Sequence, residues 1–240
     1  MKTLRYFTIT EWSLWLFSIL AILSTSIYFA NQEPLAILAS MIGITSLIFS
    51  AKGNPIGQGL IIIFAVIYAY LALRNNYYSE LITYGCLTLP MAVFSLLSWL
   101  SHPFQGKKSQ VTISQVKVKD YYLLFLLTVL ITVIFYYILG IFHTPFLLVS
   151  TLSIATAFAG TFLTYKRSPN FALAYCLNDI ILIALWLFEA QSDSSHYALV
   201  ICFATFLISD IYTYMNWLRI HRLQLLAIEK KNELYDILPI

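Results

Sequence analysis

An amide and a carboxyl stand side by side inside an apolar run, Ala174-Tyr175-Cys176-Leu177-Asn178-Asp179-Ile180-Ile181-Leu182. At bilayer depth a carboxylate costs about 2.5–3.5 kcal/mol on insertion scales. Asp179 must therefore face other protein, paired, hydrated or protonated. It serves either as a substrate or proton site or as a buried helix–helix hydrogen bond. Phe171, Tyr175, Asn178, Leu182 and Trp186 recur at spacings of four, three, four and four, which is one helical stripe. Such a stripe either packs or, with an amide in it and a carboxylate beside it, forms part of a binding site. Asp210, Tyr214 and Trp217 share a face of another run by i, i+4, i+7. Asp210 is placed nearer the basic end of its run, within reach of water, and Trp217 and Asn216 fall where an aromatic belt residue is the default. A third set is Tyr68, Tyr70, Glu80 and Tyr84, with Glu80 at a helix end where its carboxylate can snorkel. The substrate-binding candidates are thus Asn178, Asp179, Tyr175, Phe171, Trp186, Asp210, Tyr214, Tyr68 and Tyr70.

No catalytic constellation accompanies them. His102, His143, His196 and His221 lie at or near helix ends without metal-ligand spacing, and Cys86, Cys176 and Cys202 sit singly in apolar runs. A Walker A loop, HExxH and GxSxG are all missing. The reading is a chain without metal, cofactor or enzymatic activity, which disfavours an ATP-driven pump and a membrane protease.

The elements that position these residues follow from composition. Of 240 residues, 60% are apolar and only 10% charged, too little polar surface for a soluble domain. Eight apolar runs predict helices over 12–31, 35–51, 56–74, 77–100, 121–142, 145–165, 170–189 and 196–218. At about 1.5 Å per residue, about 20 residues cross a core of about 30 Å. The first run is too long for a signal-peptide core and reads as a retained helix. The joints carry breakers: Asn31-Gln32-Glu33-Pro34, Lys52-Gly53-Asn54-Pro55, Arg74-Asn75-Asn76, His143-Thr144-Pro145 and Lys166-Arg167-Ser168-Pro169-Asn170. Their prolines read as helix starts. Thirteen of the fourteen Lys and Arg residues, from Lys2 and Arg5 to Lys230 and Lys231, then share one side of the membrane. Arg74 alone lies on the other, beside Glu80. The positive-inside rule makes the basic side cytoplasmic, with both termini there. The net charge of +3 reflects this loop bias and does not argue for nucleic acid.

A weak duplication is visible. Pro34 and Pro145, Lys52 and Lys166, and Trp99 and Trp217 stand 111, 114 and 118 residues apart. They mark two three-helix groups separated by one helix, a parallel repeat of the kind transporters use, with the substrate expected near the midplane between repeats. The expected organisation is an extra N-terminal helix (1–31), a first repeat (32–100), a basic loop and linker helix (101–144), a second repeat (145–219) and a cytoplasmic tail (220–240).

Two segments give the chain a likeness. Tyr165-Lys166-Arg167-Ser168-Pro169-Asn170-Phe171 leading into Asn178-Asp179 and Trp186, and Asp210-Ile211-Tyr212 leading to Asn216-Trp217, resemble the PnuC family of bacterial nicotinamide riboside transporters. Ser79-Glu80 with Leu89-Pro90-Met91 and Trp99 is a third, weaker match, and the resemblance spans about 34–219. The chain departs from the family at Ala92, where Gln is frequent, at Ser209, where Asn is frequent, at Thr213, where Gly is frequent, and at Phe171 and Ala174, where many members carry Trp. The resemblance implies an all-α integral membrane fold of about eight transmembrane helices: one N-terminal helix plus a 3+1+3 bundle similar to the SWEET sugar transporters. It implies facilitated diffusion of nicotinamide riboside across the bacterial inner membrane, trapping by a cytoplasmic kinase, and a homotrimer. Phe171 and Tyr175 would stack on the ring and Asn178 would bind ribose or carboxamide. The departures keep thiamine, riboflavin or a deoxynucleoside open as cargo. A non-transporting scaffold or membrane enzyme is the reading from another class.

Overall fold

The computed structural model describes residues 6–29, 33–74 and 76–237. Lys2, Arg5, Asn31, Gln32 and Asn75 lie outside the described residues. Eight helices among the described residues are long and apolar enough to cross a membrane. They are α1 (Ile9–Phe29), α2 (Pro34–Ala51), α3 (Ile56–Arg74), α4 (Tyr78–Ser101), α5 (Val118–Ile141), α6 (Leu147–Tyr165), α7 (Asn170–Glu189) and α8 (Tyr197–Ile237).

Most ends fall within three residues of the sequence expectation. Pro34 opens α2 as expected of a proline at the first helical position. Pro145 does not open α6, which begins at Leu147 because Phe146 takes a left-handed conformation (φ 46°). The eighth helix does not end at 218. It runs 41 residues in all, since Arg219 to Ile237 contains neither Gly nor Pro and is rich in helix formers. Residues 220–237 are therefore a helical extension. Nor is the basic loop structureless. Pro103–Phe104 (β1) pairs antiparallel with Lys107–Val111 (β2) across Gln105-Gly106, both at positive φ, the requirement of a two-residue hairpin turn. Within α4, Thr83–Thr88 widens to a π-helical turn just before Pro90, whose missing N–H breaks the regular ladder.

The packing is orderly. α2 packs on α3 and α3 on α4, while α6 packs on α7 and α7 on α8. The two triplets meet where α2 touches α8 and α4 touches α6. α1 leans on α2 and α8, and α5 rests on α6. Tyr122, Phe125, Leu126 and Leu130 of α5 are exposed, as expected of side chains that meet lipid.

The face that carries the basic joints is closed by reciprocal contacts. Trp99 Nε1 donates to Thr164 O (2.9 Å) and Trp217 Nε1 to Ser50 O (2.8 Å). Ser98 Oγ donates to Tyr165 O (2.8 Å) and Asn216 Nδ2 to Ala51 O (2.7 Å). Each triplet's last helix thus satisfies two carbonyls at the end of the other triplet's first helix, where intrahelical donors run out. The indoles lie 5.4 Å apart, wholly buried with Val111, Ile113, Leu163 and Phe171. Beneath them an extended strap joins both joints: Val111 N donates to Gly53 O (2.9 Å) and Ser114 N to Arg167 O (3.0 Å). Gln224, on the α8 extension, clamps the strap by accepting from Ile113 N and donating to Val111 O, both at 2.9 Å.

On the far face Arg74 pairs with Glu33 at 3.6 Å, not with Glu80 as its proximity in sequence suggested. Arg74 is exposed and the separation is long, so the pair contributes little.

Candidate functional site

The polar side chains at membrane depth belong mostly to the second triplet. α6 carries a buried stripe of small residues, Ser153, Thr156, Gly160 and Thr164, recurring at three or four. This lets α7 approach closely and brings Thr156 Oγ1 to 3.0 Å from Asn178 Oδ1. Gly160 is required here, because an added Cβ would stand 2.8 Å from the Tyr175 ring. Asp179, one residue on from Asn178, lies within electrostatic reach of Asp210 on α8. Asp210 is only 3% exposed, so the water access expected from its position does not hold: the tryptophan pair and the α8 extension cover that end. Asp179 is 4% exposed, and its Oδ2 has no hydrogen-bond partner among the described residues. A buried polar atom left unpaired costs about 1–3 kcal/mol, which a ligand donor would recover.

The first triplet supplies rings. Tyr68 lies 4.6 Å from Phe64 and 5.0 Å from Tyr84 between ring centroids, and Tyr84 lies 5.9 Å from Phe64. Tyr84 belongs to the π-helical turn, a feature frequent at functional sites. Ser40 Oγ lies 3.5 Å from the Tyr68 hydroxyl. Cys202 of α8 stands within electrostatic reach of Tyr68, Tyr84 and Asp179.

The expected residues divide accordingly. Asn178 and Asp179 stand together on α7 with Asp210 within electrostatic reach, while Tyr68 groups with Phe64 and Tyr84 of the first triplet. Phe171 lies 4.8 Å from Trp217 in the core of the basic face, with Tyr175 edge-on to it at 6.1 Å. Tyr214 packs against the same core. Trp186 sits two turns beyond Asn178 toward the far face, 5.3 Å from His196. Tyr70 is exposed, since two residues after Tyr68 the helix has turned through slightly more than half a circle. Thr156, Gly160 and Phe64 were missed by sequence reasoning. The three-and-four spacing of small residues in α6 could have pointed to the first two.

The model of the nicotinamide mononucleotide transporter family matches residues 33–219, most of the chain. The chain belongs to this family. It is a multi-pass membrane protein of a transporter family, as the PnuC resemblance implied. The fold is similar to that in the crystal structure of the vitamin B3 transporter PnuC, with a TM-score of 0.76 at 18% identity, covering 91% of this chain and 94% of that one. No curated protein sequence matches the chain. The family model begins at residue 33, so α1 lies outside it.

Proposed function

We propose that this chain imports nicotinamide riboside by facilitated diffusion, with a cytoplasmic kinase trapping the product. The basic face is then the cytoplasmic one, in a bacterial inner membrane. The observation that carries the reading is the unpartnered, buried Asp179 Oδ2 beside Asn178. A ribose offers hydroxyl donors to that oxygen, and a carboxamide offers a match for the Asn178 amide. Tyr68, Tyr84 and Phe64 supply faces for a flat, cationic ring, which two neighbouring carboxyls also favour. Riboside fits better than mononucleotide, because each helix keeps its Lys and Arg at its ends or in the α8 extension, leaving no cation at depth to meet a phosphate. The two triplets would be the parts that move, and the reciprocal indole bonds support their treatment as equivalent halves.

Titrating the purified protein with riboside, mononucleotide, thiamine, riboflavin and a deoxynucleoside tests the cargo. Riboside should raise the melting temperature most and mononucleotide least. A larger shift with mononucleotide would overturn the choice. A second cargo is favoured by one specific observation: Ala92, Ser209 and Thr213 remove polar or small residues that the family often has. A stronger response to thiamine or a deoxynucleoside would select that reading.

A further inference from the structure

Glu11 stands on α1, outside the segment the family model covers, and at 1% exposure it is the least exposed carboxylate among the described residues. Its surroundings account for every charge and hydrogen bond it brings. Oε2 lies 2.9 Å from Lys52 Nζ and accepts from Thr8 N (2.7 Å), and Oε1 accepts from Tyr212 Oη (2.9 Å). Lys52 caps the end of α2 and Tyr212 belongs to α8. Glu11 therefore ties together the two triplets on the basic face, one turn from where Asn216 and Trp217 reach Ala51 and Ser50.

The same device occurs a second time. Asp120, in the first turn of α5, takes Lys166 Nζ at 2.9 Å, and Lys166 caps the end of α6. Both carboxylates lie at the third helical position of a capping arrangement: Thr8 N donates to Glu11, and Lys117 N donates to Asp120 (3.3 Å). Both lysines precede a residue in the left-handed region, Gly53 (φ 65°) and Arg167 (φ 57°), and the strap bonds the carbonyls of both. Each basic joint is thus held by an acidic residue from the helix that precedes its triplet.

We infer that Glu11 is a positioning residue for transport, holding the Lys52 joint and α8 in the closed arrangement of the basic face, and that α1 serves the first triplet as α5 serves the second. The two clips differ in one respect that sets their weights. The Lys166–Asp120 pair is part-exposed and joins neighbouring elements, whereas the Glu11 clip is enclosed and crosses between triplets. Separating the triplets on this face must break a Glu11 contact.

The inference rests on the transport reading. Its test is riboside uptake into vesicles together with riboside affinity of the purified protein, for wild type, Glu11→Gln, Tyr212→Phe and Asp120→Asn. Glu11→Gln should lower the uptake rate per folded transporter about 100-fold, the order expected when one partner of a buried pair is removed, with affinity held within about twofold. Tyr212→Phe leaves the ion pair intact and should lower the rate about tenfold, the size of one hydrogen bond to a charged group. Asp120→Asn should give the same rate-without-affinity split at smaller size. Unchanged rates per folded transporter in both Glu11→Gln and Tyr212→Phe would overturn the inference, as would a loss of affinity matching the loss of rate. A wild type that takes up no riboside would instead remove the transport reading, and this one with it.

Discussion

The two triplets make matching contacts at the basic face and differ in the side chains they carry at membrane depth. The second places Thr156, Asn178, Asp179 and Asp210 at depth, all 9% exposed or less. The first places Phe64, Tyr68 and Tyr84 there, with Ser40 beside the Tyr68 hydroxyl. At the basic face they are nearly interchangeable, down to paired indole and side-chain hydrogen bonds. On the proposed function this is a division of labour: closure uses matched halves, and a cargo flat at one end and hydroxylated at the other would use unmatched ones.

That contrast can be broken from the polar side first. Asn178→Leu should reduce riboside uptake about 100-fold, the size of two hydrogen bonds at about 1.4 kcal/mol each. On the aromatic side, Tyr68→Ala should raise the KM for riboside about tenfold through lost stacking, and Tyr68→Phe should do much less. Gly53→Ala probes the joint. A residue with a side chain in the left-handed region costs about 1–2 kcal/mol, and here the new methyl would meet Val111 Cγ1 at 3.2 Å, so the melting temperature should fall. Trp99→Phe and Trp217→Phe sharpen the matched part. Each should cost about 1 kcal/mol, because Thr164 O and Ser50 O each keep a backbone donor, from Arg167 N and Gly53 N respectively. Unequal losses would mean that the halves do not close alike. Tyr70→Ala, on the exposed face, should leave uptake unchanged.

Much of this arrangement was legible in the sequence because membrane depth penalises polar groups. Eight spans, the basic side and the polar cost of Asn178 and Asp179 all follow from that penalty. What escaped depended on partners far apart in the chain. Glu11 meets Tyr212 across 201 residues, and Gln224 meets Ile113 across 111, distances at which spacing carries no signal. The stripe from Phe171 to Trp186 was read as one surface. A helix of 20 residues instead passes through three environments: a core at the basic face, the polar centre and the far mouth. Periodicity reports the face of a helix and not the depth at which each residue meets a neighbour.

The central claim is that the polar triplet binds the riboside through Asn178 and Asp179. Nicotinamide riboside uptake into vesicles, measured for wild type and Asn178→Leu at equal amounts of folded protein, tests it most directly. Saturable uptake by the wild type and its near-complete loss in the variant is the result expected. Equal uptake by the two proteins would contradict the claim.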